Sequence, residues 1–236
     1  MALPTLLRTA SKPNDFTSPG SLSVDLTGAH AILVVAAQDA TADASFSFTG
    51  CSISGSPGLV FSAGTEVIWN TNTSRRRAFW LTSGSIPSGA QTIQVTWTGG
   101  RRGGFVVYVF NDAGSSPAIT IAESAPVAAF GTNTTYSYVV SPSTAAAECL
   151  AFVVASCWTT IAGTPVVGTG GTTAAGIDNT SLVNQHWLTK PGAASSTTLN
   201  WTYSAGNNNS LFGFSITGSS GGGGLSSRKL LLGVGA

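Results

Sequence analysis

Charged side chains are scarce in this sequence of 236 residues: Asp, Glu, Lys and Arg make up 8% of it, against roughly 25% in an average soluble domain. Histidine is rarer still, with only His30 and His186. Two histidines without a cysteine or carboxylate cluster do not make a zinc site. The nine carboxylates are scattered. Glu66 and Asp112 are the pair that an acid–base arrangement across a cleft would use. Asp39 with Asp43 brings too few oxygens together for calcium. No Gly-x-Ser-x-Gly elbow and no Walker loop occurs, and Gly-Gly-Arg-Arg-Gly-Gly at 99–104 reads as a hairpin turn. These absences argue against an enzyme, and no cofactor is expected. Apolar runs stop at four to eight residues, far short of the roughly 20 that cross a bilayer as a helix, so no membrane partner is expected. The opening Met1-Ala2-Leu3-Pro4-Thr5-Leu6-Leu7-Arg8 lacks the basic and long apolar regions of a secretory signal, which predicts a cytoplasmically made product. Cysteine is limited to Cys51, Cys149 and Cys157. The last two bracket an extended run too long for a disulfide to close, so all three are expected as free thiols in a reducing compartment.

What is present can build cores. Hydrophobic residues are 42% of the chain and include six Trp and eleven Phe, which excludes wholesale disorder. The remainder is dominated by Gly, Ser and Thr. The expected class is all-β, with a neutral Ser/Thr-coated surface that loses little charge hydration when it packs against neighbours.

The sequence also repeats itself. Ala31-Ile32-Leu33-Val34-Val35-Ala36-Ala37 matches Leu150-Ala151-Phe152-Val153-Val154-Ala155-Ser156. Trp80-Leu81-Thr82 matches Trp187-Leu188-Thr189. Thr92-Ile93-Gln94-Val95-Thr96-Trp97 matches Thr198-Leu199-Asn200-Trp201-Thr202-Tyr203, and 105–110 matches 211–216. An internal repeat of this length points to two copies of one unit of about 100 residues. Each copy carries short alternating strands separated by Gly, Pro, Ser and Asn clusters. The predicted architecture is two tandem jelly-roll-like antiparallel β-sandwiches with extended arms. Residues 1–20 form an N-terminal arm, because Pro4, Pro13 and Pro19 break a helix and the polar stretch between them argues against a core strand. The first sandwich spans 21–125, with 118–122 closing it, and the second spans 126–217. A Gly-rich linker covers 218–224. A C-terminal docking peptide, 225–236, carries Arg228, Lys229, Leu230, Leu231 and Leu232.

The strongest electrostatic signal is Arg75, Arg76 and Arg77 with Arg101 and Arg102, five of the ten basic residues. Counting strands places the loops 70–77 and 99–104 at one end of the first unit, where these arginines form a rim for an acidic partner surface. Nucleic acid is disfavoured by a net charge of only +1. The corresponding loops of the second unit, near 178–185 and 204–209, carry no Lys or Arg. Trp80 and Trp187, as repeat equivalents, read as core. Trp158 follows a strand end without a counterpart and is the candidate exposed contact for a glycan.

The apolar run at 31–35, the strand ending Thr92-Ile93-Gln94-Val95-Thr96-Trp97-Thr98, and Gly103-Gly104-Phe105-Val106-Val107-Tyr108-Val109-Phe110 resemble the Ser/Thr/Gly-rich β-sandwich proteins of tailed bacteriophage particles. These include head decoration (cement) proteins, head fibres and tail components. The resemblance spans roughly 21–217 and is one of texture and strand order, without a diagnostic motif. It implies a non-enzymatic virion protein assembled in the bacterial cytoplasm, present in multiple copies or as a homo-oligomer. The implied partners are the major capsid protein or other virion proteins. A receptor- or glycan-binding tail component is the alternative it leaves.

Overall fold

The computed structural model describes residues 3–15, 17–38, 45–69, 74–112, 118–141, 149–157, 166–167, 172–173, 177–178, 184–192 and 196–218. These residues form an all-β protein of antiparallel sheets. The chain opens with β1 (Thr5–Asp15), β2 (Gly20–Asp25), β3 (Ala31–Gln38), β4 (Ser47–Ile53), β5 (Ser62–Ala63), β6 (Val67–Trp69), β7 (Ser74–Thr82), β8 (Ala90–Thr98) and β9 (Gly103–Asn111). It continues with β10 (Thr120–Val140), β11 (Cys149–Cys157), β12 (Val166–Val167), β13 (Thr172–Thr173), β14 (Ile177–Asp178), β15 (Asn184–Pro191) and β16 (Thr197–Thr217). One sheet runs β1-β9-β3-β7-β5, with β6 also on β7. A smaller one runs β2-β8-β4. The third runs β10-β16-β11-β15-β13, with β12 on β16 and β14 on β15.

The apolar run at 31–37 explains how the sheets stack. β3 is buried along its whole length, and successive side chains of a strand point to opposite faces. Ile32, Val34 and Ala36 enter a core shared with Val24, Phe48, Ile93 and Trp97 of the small sheet. Ala31, Leu33 and Val35 enter a second core with Phe152, Val154, Phe212 and Phe214 of the third sheet. The other face of β11 supplies Ala151, Val153 and Ala155 to a third core, covered by Tyr136, Tyr138, Leu199 and Trp201. β10 and β16 therefore serve both faces of their own sheet. Their first and second parts do what separate strands do earlier in the chain: β1 and β2 together match β10, and β8 and β9 together match β16.

Several matched segments of the two halves pair in the same register. Leu33 lies opposite Tyr108 as Phe152 lies opposite Phe214, and Ser21 lies opposite Gln94 as Ser137 lies opposite Asn200. Volume is exchanged between matched positions. Leu22 and Val107 of the first copy become Tyr138 and Gly213 of the second. A Cβ on Gly213 would collide with the Tyr138 ring.

Three expectations need correction. Most of the segment expected as an N-terminal arm outside the sheets' strands, 1–20, is β1, paired along β9 from Thr5↔Asn111 to Asp15↔Gly103. An edge strand is bonded on one side only, so it accepts Pro13 near its end. Arg8 pins it to the turn after β2, donating to the Asp25 carboxylate and to Thr27 O (2.9 Å). The unit boundary expected at 125–126 falls inside β10, and Thr120 to Ser124 pair with β16. Residues 118–122 thus open the second unit instead of closing the first. Finally, Trp80 lies opposite Leu33 but Trp187 lies opposite Val154, whereas Leu33 matches Phe152. The two tryptophans are offset by two residues, which preserves the face they point to.

Candidate functional site

The expected arginine end exists in the backbone. Arg76 and Gly104 both lie opposite Ala37, one on each side of β3, so the start of β7 and the 99–102 turn share one end of the sheet. The side chains do not form the expected five-arginine rim. Arg75, Arg76 and Arg77 belong to β7, and strand alternation sends them to opposite faces. Arg75 pairs with Glu66 (Nη1 to Oε2 2.7 Å), whose other oxygen accepts from Ser47 Oγ (3.1 Å) and Phe48 N (3.2 Å). Arg77 donates to Gly64 O and Phe48 O, both at 2.9 Å, and its guanidinium lies 5.6 Å from the Phe79 ring centroid. These two arginines tie β7 to β4 and to the segment before β6. Arg76 points the other way and is 1% exposed. Arg101 and Arg102 sit half-buried in the turn.

Arg76 opens onto a polar network that crosses between the two repeat copies. It donates to Ser156 Oγ (3.2 Å) on β11 and to Ser74 Oγ (3.1 Å), and the Ser74 hydroxyl donates to Gln38 O (3.1 Å). Nearby, Gln185 Nε2 donates to Val35 O (3.0 Å) while the Tyr108 hydroxyl donates to Gln185 Oε1 (2.8 Å). Burial pushes the Tyr108 hydroxyl pKa well above its ordinary value. At the seam between the first and third sheets, Glu123 Oε2 accepts from Thr65 N (3.0 Å), and the carboxylate covers Gly64. Burial raises its pKa, countered by the Thr65 N–H and by Arg77. Sequence reasoning missed Ser156, Gln185 and Tyr108. The available signal was Ser156, a hydroxyl ending an apolar run whose counterpart ends in Ala37.

The far end of β9 gathers different parts of the chain. Asp112 N donates to His30 Nδ1 (3.0 Å), and Asp112 Oδ2 accepts from Ala118 N (3.3 Å). A Cβ on Gly218 would lie 3.2 Å from Asp112 Oδ1 and 3.3 Å from Pro4 Cγ. Both ends of the described chain therefore meet beside Asp112. Nine residues of β9 separate this end from the arginine turn, about 30 Å at 3.3–3.4 Å per residue. Glu66 lies near the arginine end, so it and Asp112 do not face each other across a cleft.

Trp97, Trp187 and Trp201 are buried in the first, second and third cores, and Trp80 packs half-buried on the second. His186 is buried in β15, its ring 5.8 Å from that of Tyr203. Cys51 and Cys149 are free thiols. Among the described residues, no group of three or more His, Cys, Asp or Glu is placed to hold a metal ion. Trp158, Arg228, Lys229, Leu230, Leu231 and Leu232 lie outside the described residues. No family model, curated protein or solved structure matches the chain.

Proposed function

We propose that this chain is a non-enzymatic structural protein of a tailed-bacteriophage particle, decorating or cementing the outside of the capsid through the major capsid protein or another virion protein. Its finer architecture, on this reading, is a fused pair of jelly-roll-like sandwiches. The observation that carries the proposal is where the polar chemistry goes. Arg75, Arg76, Arg77, Glu66, Gln185 and Glu123 all make bonds that hold sheets together. The two outermost faces carry neutral polar residues: Ser23, Thr49, Ser52 and Thr98 are exposed on one, and Thr135, Ser137, Thr198, Asn200 and Thr202 on the other. Such a body suits side-by-side packing on a shell, since little charge is desolvated on contact. The meeting of Pro4, Asp112 and Gly218 at one end supports anchoring there, with the peptide 225–236 as tether and the Arg101–Arg102 turn at the other end.

The test is co-sedimentation with assembled particles of the source phage. Three chains are compared: the full sequence, one ending at Ser220, and one carrying Arg101→Ala with Arg102→Ala. The full and double-alanine chains are expected to sediment and the shortened chain to stay in solution. If the full chain does not sediment, the proposal fails. Loss of binding only in the double-alanine chain keeps the particle-surface reading but moves the anchor to the arginine turn.

A further inference from the structure

The described charges of 5–111 are gathered towards one end of that half. Lys12 and Asp15 lie opposite Phe105 and Gly103, and Glu66 precedes the pairing of Val67 with Arg76. Arg75, Arg77, Arg101 and Arg102 belong to the same end. The exceptions are Arg8 and Asp25, which pair with each other. Arg8 also donates to Asp25 O (2.8 Å) and Thr27 O (2.9 Å), so its guanidinium is occupied within the chain.

At the opposite end, where Ala31 lies between Phe110 and Thr82, three connections cover the first core: 26–30 from β2 to β3, 54–61 from β4 to β5, and 83–89 from β7 to β8. None of the three contains Asp, Glu, Lys or Arg. Backbone bonds fix them to the strand ends: Leu26 N donates to Gly89 O (2.8 Å), and Ser54 N donates to Thr92 O (2.9 Å). Leu59, Phe61 and Ile86 turn inward onto the first core. Val60, between two of these, is 78% exposed, the highest value among the large hydrophobic residues described. Two turn bonds, Ser56 N to Ile53 O and Leu59 N to Ser56 O (both 3.1 Å), hold the loop that presents it. Leu7 is 39% exposed and lies beside the 26–30 turn, its Cδ1 3.7 Å from where a Cβ on Gly28 would sit. β1 and β5 stand at the two edges of their sheet path, so these apolar residues flank the end at a separation of roughly 19 Å, four strand spacings.

Gly218 lies at this same end, beside Pro4 and Asp112, and residues 219–236 follow it in the sequence. A partner bound by that tail is held within reach of the three connections. A charged partner surface would lose hydration here and meet no countercharge, and neither nucleic acid nor an anionic membrane finds the basic residues it requires. We propose that Val60, Leu7 and the loops 54–61 and 83–89 seat on an uncharged, apolar patch of a protein surface, as a contact in addition to the tail. This rests on the virion reading, which makes that surface part of the shell, and it supplies the chemistry of the contact: apolar burial by preformed loops, with the charged end of the chain turned away.

The experiment measures the affinity of full-length chains for assembled particles of the source phage by co-sedimentation over a range of protein concentrations. Val60→Asp and Val60→Lys are compared with the unchanged chain and with Val166→Asp, a control at an exposed position opposite Thr202. All four are expected to melt alike, because both valines are exposed. Each Val60 variant should bind about tenfold more weakly or worse, the loss expected when one buried valine contact is replaced by a charge, and Val166→Asp should bind as the unchanged chain does. Equal binding by all four chains overturns this contact and leaves the virion reading standing on the tail alone. So does equal weakening by Val166→Asp, because the effect then does not belong to this end. Opposite effects of Asp and Lys at position 60 overturn it as well, because the partner surface is then charged. Failure of the unchanged chain to bind overturns the virion reading, and this contact with it.

Discussion

Replacing Arg76 tests how the two copies are joined. Its side chain is 1% exposed and meets the hydroxyls of Ser74 and Ser156. Arg76→Ala removes two methylenes, worth about 0.8 kcal/mol each when buried. It also deprives two buried hydroxyls of a charged donor, at about 1–3 kcal/mol for each group left unsatisfied. Ser74 keeps its bond to Gln38 O, which limits the loss on that side. In the other direction, removing a buried charge relieves a desolvation penalty of several kcal/mol. Arg76→Met separates these effects, because it keeps the apolar stem and removes the charge. Together the terms give a loss of about 2–4 kcal/mol for Ala and less than about 1.5 kcal/mol for Met. At roughly 2–4 °C per kcal/mol for a chain of this size, the melting temperature falls by about 4–16 °C for Ala and by less than about 6 °C for Met. Thermal and urea unfolding followed by tryptophan fluorescence reads this directly, since Trp187 lies in the same core. A Met variant as unstable as the Ala variant would refute the reasoning, because the charged hydrogen bonds would then outweigh both packing and desolvation.

Other sites give independent checks. Gly213→Ala forces a Cβ into the Tyr138 ring and should lower stability by about 1–3 kcal/mol or more; Gly84→Ala, where a Cβ meets nothing within 4 Å, is the control, and equal melting temperatures for the two variants would contradict the packing argument. Glu123 has its pKa raised above 4.5, first by burial, so its contribution is fully present below that pH and is lost as pH rises through the folded-state value. Glu123→Gln should therefore flatten the fall in stability above pH 4.5 and gain a few tenths of a kcal/mol at neutral pH, the effect being small because the group is partly open to solvent screening; an unchanged slope in pH-dependent urea melts contradicts this. Cys51 is half-buried as a residue but packs on the first core, and burial pushes its thiol pKa far up, while Cys149 is buried with its Sγ 3.2 Å from Ser215 Oγ. Alkylation mapped by mass spectrometry should leave both unmodified in the native protein and modify both after unfolding; rapid native labelling of Cys51 would show that its environment is open.

The sequence revealed those features for which one strand's pattern was sufficient. The run at 31–37 announced a strand covered on both faces, and β3 enters two cores through alternate residues. The matched segments at 92–97 and 198–203 are likewise strands, and Ile93, Val95, Leu199 and Trp201 are buried along them. What stayed hidden depended on a neighbour. β1 carries Leu6 and Ala10 among polar residues, and only its ladder with β9 makes it a strand. The Arg75–Arg77 run reads as a charged loop until register places it within β7.

The same dependence hid the junction. Pairing the two Trp-Leu-Thr segments by identity put Trp80 against Trp187, but strand pairing pairs Arg76 with Gln185 instead. A shift of two residues leaves every side chain on its original face, so hydrophobic pattern alone cannot detect it. It does change which polar group meets the opposing copy. With the offset restored, an arginine and a glutamine that look unrelated in the sequence occupy matched positions, and each donates to the other half of the chain. The arginine run, the strongest charge signal in the chain, is then explained in part by the way the repeat closes on itself. Its first and third members brace β7 against β4 and the segment before β6, and its second binds the other copy. Arg101 and Arg102 sit half-buried in the turn at the end that the termini do not occupy.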